Sequence, residues 1–388
     1  MASNESSSPT TSRSFDLGAP GVLGGSQQGT GAVRAFLEHH FLHFNARELL
    51  DAAKAYEAHL DAGGEMLVTL AGAMSTARIG RILSRMIRAG KVHAICCTGA
   101  NLEEDVFNLL AANEYETLPQ WRALSVEDET ALYERGMNRV TDTAIPETVM
   151  RHVEQRMFDI WDRSLESGER SFPYQWFYEV LGQDDLKQHY QIPPADSWLL
   201  AAREANLPVY VPGWEDSTLG NMFAAWCMRQ NDSKQPDSKK HASPHHVLKG
   251  GSELMTHLAR WYRSRHGLDH GLPPDDPHAP ADNPARGPIG HASTGRGVGF
   301  FQIGGGIAGD FPICAVPMMI QDLQWEDTPF WAYFCQISDA VTSYGGYSGA
   351  VPNEKITWGK LSADTSKFMI QSDATIVAPL IFAYLLGD

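Results

Sequence analysis

"GVGFFQIGGGIAG" (residues 297–309) is the stretch on which the fold turns. Seven residues with the apolar character of a buried strand run straight into six that satisfy G-x-G-x-x-G, the glycine spacing that lets a pyrophosphate approach the backbone where a helix begins. On their own the glycines also fit a tight turn. The dinucleotide reading gains from the next apolar run, "FWAYFCQI" (330–337), which leads to Asp339, close to where a Rossmann-type sheet sets an acid for a ribose hydroxyl.

Further out, "EMLVTLAGA" (65–73), "KVHAICC" (91–97) and "LPVYVPG" (207–213) have the length and apolar continuity of strands buried on both faces. Each precedes a Gly-containing or polar loop and then a helical pattern. "STARIGRILSRMIRAG" (75–90) places Ile79, Ile82, Leu83 and Met86 on one helix face, with Ser75 or Thr76 as N-cap and Gly90 as stop. Residues 114–200 read as mostly helical and rich in aromatics. The expectation is an α/β fold: a doubly wound, mostly parallel Rossmann-like sheet with helices on both faces. Ligands in such sheets sit where strands end and helices begin, which directs attention to residues 72–76, 98–105, 213–221, 304–310 and 339–360.

The chain has 388 residues, and 43% hydrophobic content is ample for a large core. Its Ser/Thr/Pro-rich start lacks the apolar centre of a secretory signal, so residues 1–30 are expected to be a disordered tail. Residues 31–388 are then one domain, with 267–297 as a Pro, Gly, His and Asp loop insertion. No apolar run reaches the roughly 18 residues of a membrane span. Five cysteines, mostly in apolar stretches, fit free thiols in a reducing cytoplasm. A net charge of −16 disfavours nucleic acid and attracts small cations, polyamines included.

Several loops carry chemistry. In "CTGANLEED" (97–105), Thr98 and Gly99 suit a phosphate or ribose site while one carboxylate binds a hydroxyl or an amine; alternatively Glu103, Glu104 and Asp105 simply meet the dipole of a first helical turn. In "PGWEDSTLGNMF" (212–223), Asp216 reads as an N-cap. His241, His245, His246, His266, His270, His278 and His291 cluster without H-E-x-x-H spacing or a cysteine partner, so no metal is expected and the segment reads as a solvated insertion. There is no G-x-S-x-G elbow and no Walker A motif. "PNEKITWGKL" (352–361) is more pointed, because a surface lysine needs neither a tryptophan two residues before it nor a glutamate six before it. A nucleophilic lysine needs an apolar wall to lower its pKa and a carboxylate to hold a cationic partner.

Taken in order, "TGANLEED", "DSTLGN", "IGGGIAGD", "SGAVPNEKITWGK" and "SDATIVAPL" make the chain, from about residue 31 onward, resemble the deoxyhypusine synthase family, and particularly its bacterial deoxyhypusine synthase-like branch. The family's E-x-x-x-W-G-K run stands here as Glu354, Trp358, Gly359 and Lys360. The resemblance implies NAD-dependent transfer of a 4-aminobutyl group: a hydride passes from spermidine to NAD, the lysine attacks the imine, 1,3-diaminopropane leaves, and the butylimine passes to an acceptor amine before the hydride returns. It implies Lys360 as nucleophile, Trp358 as its desolvating wall and Glu354 as anchor for a substrate ammonium. It also implies NAD contacts from Ser75, Thr98, Glu104, Asp216, Gly304, Gly305, Gly306, Ser338, Asp339, Ala340, Gly345, Gly346, Asp373 and Ala374, in a homotetramer built as a dimer of dimers.

Departures from the family lie on the polyamine side. Asp310 stands where the synthases that modify a translation factor carry a histidine, while Asn221 and Tyr347 stand where they carry acids. The cofactor framework and nucleophile are kept, so the leading expectation is transfer from spermidine or putrescine to a small amine, as in homospermidine synthesis. Modification of a lysine on a translation factor is the alternative, as is a related transferase using agmatine, whose planar cation suits an added acid and an aromatic face. A silent NAD- or polyamine-binding protein is disfavoured by the nucleophilic lysine.

Overall fold

Val298–Ile303, the strand that opens the quoted stretch, is buried at every position and lies inside a six-stranded sheet. In chain order the strands of this sheet are β1 (Glu65–Leu70), β2 (Ala94–Cys97), β3 (Val209–Tyr210), β4 (Val298–Ile303), β5 (Tyr333–Ile337) and β6 (Ser366–Ile370). Their spatial order is β3-β2-β1-β4-β5-β6, and every pairing is parallel. This is the order of a dinucleotide-binding Rossmann sheet, and its topological switch point falls between β1 and β4. The computed structural model describes residues 31–232, 243–279, 297–341 and 347–388. The expected tail 1–30, His241, most of the 267–297 loop with His291, and Gly345 and Gly346 lie outside the described residues.

Because side chains alternate along a strand, β4 and β5 serve both faces at once. Phe301 and Tyr333 meet Tyr56 of the helix Phe44–Asp61 at ring distances of 5.4 and 5.7 Å, and Phe301 also meets Phe382 of the helix Ala374–Leu386. On the opposite face Phe300 packs against Phe334 and Trp331, and Trp331 against Tyr262 of the helix Gly251–Arg265. Near-continuous apolar strands are therefore covered by helices on both sides, as an all-parallel sheet requires.

Several local readings need correction. Strand β3 is only two residues long. Strand β6, "SKFMI", was not expected, because its partly exposed edge position tolerates Ser366 and Lys367. Residues 114–200 contain, besides helices, a small antiparallel sheet of Glu116–Thr117, Met137–Val140 and Thr143–Pro146. The helix expected from residue 75 begins only at Gly80, after a run of turns, and neither Ser75 nor Thr76 caps it. Ile79, Leu83 and Met86 are buried as the pattern required. The histidine-rich segment is not simply solvated either: His266 and His278 are buried, and His278 hydrogen-bonds the Tyr174 hydroxyl at 2.6 Å.

Candidate active site

The loops at the carboxyl ends of β1, β2, β4, β5 and β6 converge beside the switch point. After β4 the chain makes a glycine turn in which Gly304 (φ +79°) donates its N–H to the Ile337 carbonyl at 2.8 Å. A Cβ on Gly304 would stand 2.8 Å from the Ala71 Cβ, and one on Gly305 only 1.9 Å from the Ser348 Oγ. Gly306 (φ +67°, ψ −160°) has open space where its Cβ would be, so its backbone can be approached by a ligand. The turn thus holds together β1, β5 and the segment that leads to Lys360.

The β1 and β2 loops are tied by Asn101, which is fully buried. Its amide nitrogen donates to the carbonyls of Leu70, Ala71 and Gly72 and to Thr98 Oγ1, while its Oδ1 accepts from the Ser75 N–H at 2.8 Å. Thr98 is the N-cap of the helix Gly99–Ala111, and its hydroxyl donates to the Gly72 carbonyl at 2.7 Å. The Ser75 hydroxyl donates to the Asn101 carbonyl and accepts from the Trp198 indole.

This helix start corrects the reading of the acids, which lie beyond its first turn. Glu103 accepts the N–H groups of Thr218 and Leu219 and so caps the helix Thr218–Asp232. Asp105 accepts from Ser197 Oγ and from the N–H groups of Trp198 and Leu199, capping Trp198–Glu204. Glu104 has a different environment. Its Oε2 is buried without a hydrogen-bond partner among the described residues, and burial, with Glu103 alongside, pushes its carboxyl up to about 8. Glu104 lines a cavity of about 390 Å³ with Glu103, Phe107, Asn138, Glu147 and Thr218. A buried carboxyl oxygen without a partner beside a cavity is a group that a ligand hydroxyl can satisfy.

The lysine-bearing segment lies beside the glycine turn. Glu354 opens the one-turn helix Glu354–Thr357 and is exposed, available to a cation. Lys360 is 4% exposed, and its Nζ lies 5.9 Å from the Trp358 ring centre. Trp358 itself is 64% exposed, so most of its ring surface faces away from the buried amine. Asp310, from the helix Ile307–Ile313, has a buried Oδ1 without a hydrogen-bond partner among the described residues. Burial raises its carboxyl to about 6, against the opposing pull of Lys360 and Lys355.

Lys355 went unnoticed in the sequence. It is 3% exposed, its Nζ stands 3.5 Å from Gln336 Oε1 and 4.8 Å from the Phe334 ring centre, and burial with Lys360 nearby lowers it to about 8. Its only signal is a second lysine in the signature run, where Lys360 N–H closes a turn onto the Lys355 carbonyl at 3.0 Å.

The remaining candidates frame these groups. Ser338 donates its N–H to the Ile370 carbonyl and joins the ends of β5 and β6, with exposed Asp339 and half-buried Ala340 following. Asp373 caps the helix that starts at Ala374 by accepting from the Thr375 N–H at 2.7 Å. Asp216 is exposed and is not the expected N-cap; Ser217 fills that role, accepting from the Gly220 N–H at 3.1 Å. The Asn221 amide donates to the carbonyls of Glu215 and Ser217. Tyr347 begins the turn Tyr347–Gly349. No group of three or more His, Cys, Asp or Glu side chains able to hold a metal occurs among the described residues.

Comparison with known proteins identifies the family. The family model described as deoxyhypusine synthase matches residues 38–242 and 290–385. A "Probable deoxyhypusine synthase 1" of Archaeoglobus fulgidus is 25% identical over 343 residues, covering 88% of this chain and 90% of its own. A "Deoxyhypusine synthase-like protein" of Nostoc sp. is 26% identical over 367 residues, covering 92% of this chain and 82% of its own. A "Probable deoxyhypusine synthase 2" of Methanosarcina mazei is 23% identical over 339 residues, covering 87% and 81%. With the family match spanning well over half of its length, the chain belongs to the deoxyhypusine synthase family, whose members are NAD-dependent enzymes of aminobutyl transfer.

Proposed function

We propose that this protein transfers a 4-aminobutyl group from spermidine, or a related polyamine, through an imine on Lys360. The observation that carries the reading is a lysine 4% exposed, near enough to Asp310 to act on its charge, with the exposed carboxylate of Glu354 six residues before it. Glu354 anchors a terminal ammonium, which fixes the neighbouring carbons relative to Lys360. The Lys360 amine attacks the imine carbon and holds the four-carbon fragment until an acceptor amine takes it. The water-poor setting of Lys360 protects that imine from hydrolysis.

Glu104 is proposed to hold a ribose hydroxyl of NAD, and Gly304, Gly305 and Gly306 to admit its pyrophosphate. Ser75, Thr98, Asp216, Ser338, Asp339, Ala340, Gly345, Gly346, Asp373 and Ala374 complete the proposed frame. When bound, NAD supplies the acceptor, and later the donor, of the hydride.

Two readings of the acceptor follow from different observations. The names of the relatives favour a protein lysine, as in deoxyhypusine synthesis, and put that reading ahead of the one the sequence suggested. Asp310, Asn221 and Tyr347 favour a small amine such as putrescine or agmatine, because they rewrite the polyamine-facing wall. Purified protein incubated with NAD and spermidine, putrescine or agmatine, singly and in pairs, separates the readings by product mass. Homospermidine establishes a small-amine acceptor; diaminopropane formed only when an acceptor protein is added establishes a deoxyhypusine synthase. No transfer product in any mixture would refute aminobutyl transfer.

The assembly proposed is a homotetramer in which another copy covers the site. Ile307, Val341, Val351, Trp358 and Ile376, on the loops and helix starts that follow β4, β5 and β6, are between 46% and 72% exposed, apolar surface that another copy would bury. Light scattering that gave a monomer would remove this proposal. A reducing cytoplasm suits the five cysteines, all free among the described residues, and no described helix is long and apolar enough to cross a membrane.

A further inference from the structure

Two glutamines lie where an all-parallel sheet calls for apolar side chains. Gln302 of β4 and Gln336 of β5 are each 1% exposed and are register partners, on the side of the sheet that also carries Phe300 and Phe334. Burying an amide costs free energy that hydrogen bonds must offset, so the partners of each amide indicate its role.

Gln336 Nε2 donates to the Ser348 carbonyl at 2.7 Å, and its Oε1 faces Lys355 Nζ at 3.5 Å. Only this orientation of the amide suits both neighbours, one an acceptor and the other a donor. Ser348 and Lys355 are seven residues apart in the chain, with Glu354 between them. One side chain of the sheet therefore meets the lysine segment at two points. The Lys355 carbonyl, which accepts the Lys360 N–H at 3.0 Å, carries the hold on to Lys360. Gln302 acts on the other side of the close approach between Gly305 and Ser348. Its Nε2 donates to the Gly304 carbonyl at 3.1 Å, and a Cβ on Gly309 would stand 2.5 Å from that nitrogen. This amide supports both the glycine turn and the helix Ile307–Ile313, which carries Asp310. Its Oε1 has no hydrogen-bond partner among the described residues, so on grounds of stability alone an apolar side chain would serve better there.

We propose that Gln336, supported by Gln302, is a positioning residue for the transfer: it sets the lysine segment against the glycine turn and so fixes where Lys360 stands relative to the bound amine. The inference rests on Lys360 being the imine-forming residue. Glu354 anchors the substrate ammonium, while Gln336 holds the backbone that delivers the nucleophile. A displacement of about 1 Å between the two costs roughly 100-fold in rate.

The test uses the full chain with 4-aminobutanal and cyanoborohydride, which traps an imine without any need for NAD, and the adduct is located by peptide mass. Labelling over a range of aldehyde concentrations gives a limiting rate and a half-saturating concentration. Gln336→Met keeps the length of the side chain and removes both contacts, whereas Gln336→Glu keeps the shape but cannot donate to the Ser348 carbonyl. In both variants the limiting rate at Lys360 should fall about 100-fold. The half-saturating concentration should stay that of the parent, because Glu354 is untouched, and the thermal midpoint should move by a few degrees only. Gln302→Met, which leaves Gln336 in place, should lower the limiting rate about 5-fold and leave the thermal midpoint unchanged. A parent-like limiting rate in either Gln336 variant would overturn the proposal. So would rate losses that follow the loss of thermal midpoint across the three variants, the pattern of a purely structural role. A parent labelled elsewhere than at Lys360 would instead overturn the transfer reading itself, and the proposal with it.

Discussion

Glu104 shows how a residue between two satisfied neighbours is left with an unpaired buried oxygen. Glu103 and Asp105 are consumed in capping two helices, while Glu104 keeps a buried oxygen with no partner among the described residues. Its folded-state pKa of about 8 stands above the ordinary 4.5, so between those values the folded chain holds a proton that the unfolded chain has released. The contribution to stability is therefore complete below about 4.5 and is lost as pH rises through about 8. Glu104→Gln should unfold at the parent's temperature at acid pH and at a higher temperature above pH 8 in the absence of cofactor, measured by calorimetry across pH. A gap that stayed constant with pH would show that Glu104 is not protonated in the fold. At this scale the sequence points to residues where a motif names them, as at Lys360 and Glu354, whose roles are proposed above. It was silent where burial decides, as at Lys355, whose spacing is that of any surface lysine.

The element that organises the site is the glycine turn after β4. Gly305 has no room for a side chain, because its Cβ would overlap the Ser348 hydroxyl at 1.9 Å and the Ser348 Cβ at 2.5 Å. Gly305→Ala must push away the segment that carries Glu354 and Lys360, and kcat/KM should fall by about 100-fold while the thermal midpoint moves little. Ser348→Gly in the same chain removes both overlapping atoms and should recover much of the loss. Equal activity of the single and double variants would mean that the turn and the lysine segment are not coupled through this contact. Glycine spacing and apolar runs made β4, β5 and the turn readable. Two other elements escaped for a physical reason: β6 is a short, partly exposed edge strand, and the small sheet within residues 116–146 lacks any long apolar run.

Across the whole molecule, the order β3-β2-β1-β4-β5-β6 brings together loops from residues 71 to 373, five strand ends that share no local sequence signal. The class of fold could be read from strand and helix periods, but which strands neighbour each other depends on pairings across hundreds of residues. The sheet order matters because it sets the glycine turn after β4 against the ends of β1 and β5 and beside the segment that leads to Lys360. A net charge of −16 also favours the approach of polycations to the molecule as a whole. The most direct measurement is borohydride trapping of the protein with NAD and spermidine, followed by peptide mass mapping. The account predicts an NAD-dependent aminobutyl adduct on Lys360, absent from Lys360→Ala even though that variant still binds NAD. A parent that turns over spermidine without an adduct at Lys360, or a Lys360→Ala variant with parent-like transfer, would contradict it.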